Sequence, residues 1–439
     1  MSLKIGGFLL GGTALALVVG CGGVSIGEND VRVTVQARYE KRDLGAGGFG
    51  SLTPRPARFA YAEALDPSGN LIDRTYLGSD GSGPLYVPQG SPFRVKLLAQ
   101  VEVPSSSSSD FMLRGSVKRA LIPTDPETGA ILPYTSLGSF NDRPNWSTTS
   151  DLVEANTSGT LTVTALESTS EAGAFAIADQ MVTFAQKVQA LEPGLRLPDL
   201  HAFWHASGSD ATYSTYPAAA WVQSGGGEAL LKQDSGRTVF HHEVRWADPA
   251  AADRGADAYN DGVLQEVFAR LLFADYSLQS KDNAGKDEPW AIIRRDSDNV
   301  YADPSGTTAL EPTLAWTAGF ATFLGSAFRN DPTLREVASN GSVSTFRLDT
   351  PSSPLPTPAG EFVPGAVARS LWGIWKNGGT FSGSQAGLQT MWNATIPQTA
   401  SQAYEYGNTP LAAYPTYLNG LKRLAGTAAG TPIANELNL

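Results

Sequence analysis

Val31-Arg32-Val33-Thr34-Val35-Gln36-Ala37-Arg38-Tyr39 alternates apolar and polar side chains without a break. Successive side chains of a strand point to opposite faces of a sheet, so this period of two predicts a strand with one buried face. Two further runs follow, Ala57 to Leu65 and Phe93 to Val103, the latter alternating around Arg94 and Lys96. The first of them ends in the turn Asp66-Pro67-Ser68-Gly69. Turn-rich segments between the runs complete the pattern of a small β-sandwich over residues 22–104.

Working toward the N-terminus, residues Gly22 to Asp30 form a short polar tether. Before it, Lys4 supplies a positive start, Ile5 to Val19 an apolar run of small residues, and Val18-Val19-Gly20-Cys21 the end. A secretory signal peptide has this shape. The last four residues resemble the lipobox of bacterial lipoproteins. That resemblance implies cleavage between Gly20 and Cys21, removal of residues 1–20, and acylation of the Cys21 thiol. Each buried methylene of an acyl chain contributes about 0.8 kcal/mol, so several chains on one residue hold stably to a membrane. Gly22 stands where aspartate would imply inner-membrane retention, so the resemblance implies the outer membrane where the cell has one. Cys21 is the only cysteine of the 439 residues, which excludes an internal disulfide and cysteine-ligated zinc. The plain alternative is an ordinary signal peptide that contains a cysteine.

Composition agrees with an exported, loop-rich chain: glycine (46) and proline (28) are frequent, and charged residues make up only 17%. The net charge of −11 argues against a nucleic-acid partner and against docking on anionic lipid through a basic surface. The stretch Asp66 to Ile72 followed by Asp80 to Ala99 resembles the transthyretin-like or carboxypeptidase-regulatory-like modules of secreted bacterial proteins, with a Gly-rich turn and a Val-Pro-x-Gly step before a strand.

Beyond the sandwich, the serine run Ser105 to Ser109 reads as a linker or exposed loop. Phe111 to Ile122 and Thr160 to Leu166 read as added strands, so 105–170 is a linker with further β structure. Helical spacing begins at Gly173, with Ala178, Met181, Val182, Ala185 and Val188 on one face and Pro193-Gly194 beyond the end. Asn260 or Asp261 caps a second helix that carries Leu264, Val267, Phe268, Leu271 and Leu272. Pro312 to Phe328 contains no charged residue, which predicts a helix buried on most sides. Pro364 to Lys376 and Gln385 to Trp392 read as helices, separated from the third by the Pro-rich loop Pro351 to Pro358. Strands first and helices after predict a multidomain β plus α+β protein, with the helical part spanning 171–439.

Chemistry is sparse in that part. Thr238-Val239-Phe240-His241-His242-Glu243-Val244-Arg245-Trp246 sets apolar residues before a His-Glu pair. In His-Glu-x-x-His on a helix, the histidines at i and i+4 bind one metal and the glutamate polarises its water. Further segments occur in order: Ala174 to Asp179, Leu200 to Trp204, Leu314-Ala315-Trp316-Thr317-Ala318-Gly319-Phe320-Ala321-Thr322-Phe323, and Gly365 to Ile374. Together, over roughly residues 171 to 395, they resemble a family of secreted bacterial gluzincin-type zinc metallopeptidases. The resemblance implies a mainly helical zincin-like domain in which His242 matches the first zinc ligand and Glu243 the general base. Trp246 stands at the second histidine and Ala318 at the ligand glutamate, and Gly373 at a frequent aspartate. A catalytic zinc takes about three protein ligands and an open position, so the resemblance implies a peptidase scaffold without its metal. The lost positions leave a domain suited to binding an envelope protein or peptide.

Two alternatives stand beside that reading. An active metallopeptidase with a rebuilt zinc site would use His201, His205 and His242, since residues 201 and 205 face the same way on a strand. The plain counterpart is that His201 and His205 lie on a solvated strand face. A structural or assembly lipoprotein of the cell surface would instead work through the sandwich. No Gly-x-Ser-x-Gly elbow, Walker A loop or dinucleotide fingerprint occurs. The acidic clusters Asp257 to Asp261 and Asp296-Ser297-Asp298 lack EF-hand spacing and read as solvated loops. Trp204, Trp221, Trp246, Trp316, Trp372, Trp375 and Trp392 read as core packing, with a carbohydrate-binding platform as the functional counterpart.

Overall fold

A computed structural model describes residues 29–107, 111–119, 144–193, 199–205, 214–217, 232–234, 237–239, 241–247, 257–279, 312–337, 343–349, 363–378 and 381–395, with 27, 195, 197, 417, 418 and 421 beside them. The signal segment with Gly20 and Cys21, Trp221, the cluster at Asp296 and the loop from Pro351 to Pro358 lie outside the described residues.

The alternating stretch forms β1 (Asp30–Gly45), and its burial follows the predicted period: Val33, Val35, Ala37 and Tyr39 face inward. Around it come β2 (Gly48–Pro56), β3 (Ala60–Leu65), β4 (Leu71–Tyr76), β5 (Ser82–Pro88) and β6 (Pro92–Pro104). β7 (Phe111–Arg119), β8 (Ser147–Thr149), β9 (Val153–Glu154) and β10 (Gly159–Ala165) follow. β11 (Asp199–His205), β12 (Ser214–Pro217), β13 (Lys232–Asp234), β14 (Arg237–Val239), β15 (His241–Ala247), β16 (Thr333–Val337) and β17 (Val343–Arg347) complete the strands. Among the described residues, five α-helices have full bounds: α1 (Glu171–Leu191), α2 (Asp261–Gln279), α3 (Pro312–Arg329), α4 (Pro364–Asn377) and α5 (Gln385–Thr395).

β1 is the hinge of the first sheet. It pairs with β10 in parallel on one side and with β5 and β2 antiparallel on the other. The second sheet has nine strands in the order β12-β15-β11-β7-β6-β3-β4, with β8 and β9 also on β6. β11 runs parallel to both β7 and β15. Parallel neighbours need a crossover, and α1 lies on the connection from β7 to β11. The sheet therefore runs across the boundaries expected near 104 and 170: strands from either side share one ladder.

The sequence predicted the five helices to within a few residues. α1 packs on β6, β7 and β1, α2 packs on α1, α3 on α2, α4 on α3, and α5 touches both α1 and α4. One apolar cluster joins both sheets and all five helices. Trp204, Trp316, Trp372, Trp375 and Trp392 belong to it, which settles those five as core. Among the described residues no helix is long and apolar enough to cross a membrane.

Polar side chains pin the sheet to the helices where β1 leaves the sandwich. The Tyr39 hydroxyl donates to Asp179 Oδ2 of α1 at 3.0 Å, and Arg58 Nε reaches Asp179 Oδ1 at 2.5 Å. Arg58 also donates to the Asp179 carbonyl, to Thr183 Oγ1 and to Gln186 Oε1. Burial, reinforced by Asp179, raises the Tyr39 phenol well above its ordinary value. Two residues on, the buried Lys41 ammonium lies 2.6 Å from Asp261 Oδ2, at the start of α2. A carboxylate in the first turn of a helix also meets the positive end of its dipole.

Candidate functional site

The His-Glu segment differs from what the zincin resemblance implies. Residues His241–Ala247 form strand β15 between β11 and β12, in place of a metal-binding helix. The register pairs His242 with Leu200, Glu243 with His201 and Trp246 with Trp204. Neighbouring residues of a strand lie on opposite faces, whereas on a helix they are about 100° apart. His242 and Glu243 are consecutive positions of a strand. The rebuilt set is divided between two paired strands, His201 and His205 on β11 and His242 on β15. Only His201 of that trio has a described side chain, and its Nδ1 lies 2.7 Å from Ser116 Oγ. Among the described residues no three His, Cys, Asp or Glu side chains gather as a metal group.

Ala318 stands elsewhere, buried in α3, the helix packed between α2 and α4. Two glycines set how closely α3 approaches its neighbours. A Cβ on Gly325 would come within 3.0 Å of the Glu266 backbone nitrogen, and one on Gly319 within 2.7 Å of the Pro364 carbonyl. Neither position has room for a larger residue without moving a helix.

At that close crossing α2 presents a Gln-Glu pair. The Gln265 Nε2 group donates to the Gln180 side-chain oxygen at 2.8 Å and to the Gln180 carbonyl at 3.1 Å. Gln265 is wholly buried, and its Oε1 has no hydrogen-bond partner among the described residues. Glu266 accepts a 2.8 Å hydrogen bond from Thr322 Oγ1 of α3. One turn further along α2, at i+4 from Gln265, lies the buried Ala269. The helix start is capped by Asn260, whose Oδ1 accepts from the Val263 N–H at 3.3 Å. Its Nδ2 donates to the Arg335 carbonyl of β16.

So the segment singled out in the sequence, Leu314 to Phe323, faces α2, and the acidic residue brought against α3 is Glu266. Sequence reasoning passed over it because Val263-Leu264-Gln265-Glu266-Val267-Phe268-Ala269 contains no metal ligand except that glutamate. The available signal was order along the chain: α2 is the described helix before α3, and its apolar spacing predicted a helix. What this helix pair offers chemically is hydrogen bonding within a close-packed interface. Nearby, burial lowers the Arg329 guanidinium from its ordinary value, partly offset by Asp331.

The outer face of the nine-stranded sheet is built differently. Its inward residues, such as Ala62, Val95, Leu97 and Val101, are apolar and buried. Outward, Tyr61 of β3 is in register with Tyr76 of β4, and their ring centroids are 4.7 Å apart. Gln100 Nε2 donates to the Tyr76 hydroxyl at 2.6 Å, and Asn145 Nδ2 donates to Gln100 Oε1 at 2.9 Å. The Tyr76 hydroxyl in turn bonds Glu102, which pairs with Arg114 Nε at 3.3 Å. Burial raises the Glu102 carboxyl above its ordinary value, against the opposing pull of Arg114. Burial likewise raises the Tyr76 phenol.

No family model matches this chain, and no match is found among curated proteins or solved structures.

Proposed function

We propose that this is an exported, lipid-anchored envelope protein in which a zinc-peptidase-like pair of helices has lost its metal and the surrounding domain serves binding. The observation that carries this reading is the α2–α3 crossing. The helix with the peptidase-like segment Leu314 to Phe323 packs against a helix whose Gln265-Glu266 and Ala269 occupy a Gln-Glu-x-x-Ala spacing. Glutamine, alanine and Ala318 stand where that family's ligands would be. The vestige is thus moved from His242-Glu243 to Gln265-Glu266. Only Glu266 remains of such a set, and one carboxylate does not hold zinc. Export and anchoring rest on the signal-like segment and Cys21, whose acyl chains would keep the domain near a membrane.

Restoring the ligands tests the helix assignment. The combined variant Gln265→His, Ala269→His and Ala318→Glu should take up one zinc per chain from excess metal, while the unmodified mature chain takes up none. Zinc in the unmodified chain, with peptidase activity lost on Glu266→Gln, would sink the non-catalytic reading. Anchoring is tested apart: Cys21→Ser should release the exported protein from the membrane fraction.

A further inference from the structure

We propose that two copies of this chain pair edge to edge through β10, so that their first sheets join into one across a two-fold axis. β10 ends that sheet: it pairs with β1 on one side, and among the described residues nothing hydrogen-bonds its backbone on the other. Across the side of the sandwich β8 comes near β10 without bonding to it. A free edge is a row of unpaired N–H and C=O groups, and proteins blunt such edges with proline, charge, a bulge or a covering segment. The far edge of the same sheet is β2, which carries Pro54, Pro56 and a register shift against β1 between Arg42 and Leu44. β4, at one end of the second sheet, packs against β5, where the Tyr86 N–H donates to Asp73 Oδ2. β10 reads Gly159-Thr160-Leu161-Thr162-Val163-Thr164-Ala165, with no proline and no charge, and its β-branched residues favour strands.

The pattern of β10 selects a second copy as the occupant. Thr160 and Thr162 are exposed and Thr164 half-buried, whereas Val163 and Ala165 are buried in the core. In an antiparallel pair centred on Thr162, that residue meets its own counterpart, Thr160 meets Thr164, and Leu161 meets Val163. Threonine then faces threonine and apolar faces apolar along the strand, pairings that stabilise a ladder. A two-fold axis brings like residues together, and a strand without charge meets no like-charge repulsion there. Two exposed apolar side chains flank this edge, Leu152 between β8 and β9 and Leu166 just beyond β10. A contact made by one short strand from each copy falls below the roughly 1,200 Å² of a stable complex, so the dimer is weak. Both copies carry a net −11, so added salt should strengthen it by screening their repulsion. A basic peptide strand on the same edge would respond to salt in the opposite sense.

The test uses residues 21–439 with Cys21→Ser, a chain that contains no thiol because Cys21 is the only cysteine. In that background Thr162→Cys sets two thiols directly opposite, with Cα atoms about 5 Å apart and within disulfide range. Thr160→Cys leaves them about 13 Å apart along the strands, beyond that range. We expect Thr162→Cys to form a covalent dimer in an oxidising glutathione buffer at least about tenfold faster than Thr160→Cys. Sedimentation of the thiol-free chain should show a reversible dimer with a Kd on the order of 0.1 mM, tighter at higher salt. Thr162→Lys sets two ammonium groups opposite each other and should weaken that dimer by at least about tenfold, with its unfolding midpoint showing that it is folded. A thiol-free chain that stays monomeric at about 0.5 mM, equal cross-linking of the two cysteine variants, or Thr162→Lys that dimerises like the parent would overturn the proposal. The assay uses no membrane and no metal, so its failure leaves the anchoring and helix-pair readings standing, and theirs leaves it standing.

Discussion

Two polar clusters at the helix interfaces are built on opposite principles. Around Asp179, a carboxylate on α1 is met by an arginine and a tyrosine from the sheet, with further acceptors for the arginine on the same helix. Around Gln265 and Glu266, amide meets amide across α1 and α2, and a threonine meets a carboxylate across α2 and α3. The first cluster contains an ion pair whose partners cannot be removed singly. The second leaves a buried amide oxygen without a partner among the described residues. A buried polar atom without a partner costs free energy. The difference teaches that the first cluster stabilises the fold more than the second.

The contrast breaks most sharply at Asp179. Asp179→Ala removes the carboxylate that pairs with Arg58 and accepts from the buried Tyr39 hydroxyl, and should destabilise by about 3 kcal/mol, read from urea unfolding. A loss no larger than that of an ordinary surface substitution would remove the distinction. The helix crossing comes next. Gly325→Ala sets a methyl against the Glu266 backbone and should cost about 1–3 kcal/mol by forcing α2 and α3 apart. A neutral result would mean the crossing tolerates sliding, which would weaken any inherited site geometry there.

The Gln265 cluster should respond in the other direction. The double substitution Gln180→Leu and Gln265→Leu removes both amides from a close-packed interface and keeps similar volume. Replacing both partners by apolar groups is often neutral or stabilising, so the unfolding free energy should stay within about 1 kcal/mol of the parent. A large loss would show that the amide pair is as structural as the Asp179 cluster.

The same contrast explains what the sequence disclosed. β1 was legible because half its residues had to be apolar to face one core, and strict alternation from Val31 to Tyr39 records that demand. α3 was legible because a helix packed between two others carries no charge from Pro312 to Phe328. β15 was misread. His-Glu within nine residues suggested a metal-binding helix, although Thr238, Val239, Val244 and Trp246 are residue types that favour strands. A two-residue motif outweighed the composition around it. The α2 pair was illegible for another reason: Gln265-Glu266 forms no metal-binding motif, and only packing against α3 sets it apart. The Tyr61–Tyr76 pairing was hidden as well, because register between β3 and β4 is a property of the ladder. Sequence spacing does not specify it across a turn.

The smallest effect concerns Glu102, on the solvent side of the sheet, where neither buried principle applies. Its carboxyl is raised above an ordinary value of 4.5, first by burial and against Arg114. A raised folded-state value means the native protein holds its proton more tightly than the unfolded chain. The stabilising contribution is therefore complete below the ordinary value and is lost as pH rises through the folded value. Going from pH 4 to neutrality, the parent should lose stability relative to Glu102→Gln, which does not titrate. The group is partly exposed and its partner Arg114 is on the rim, so solvent screening keeps the difference below about 1 kcal/mol. Urea unfolding of both proteins at the two pH values measures it. A difference of opposite sign would mean that Arg114 and the Tyr76 hydroxyl favour the carboxylate more than burial opposes it. That outcome would make this face an ion-pair lattice organised around a charged Glu102.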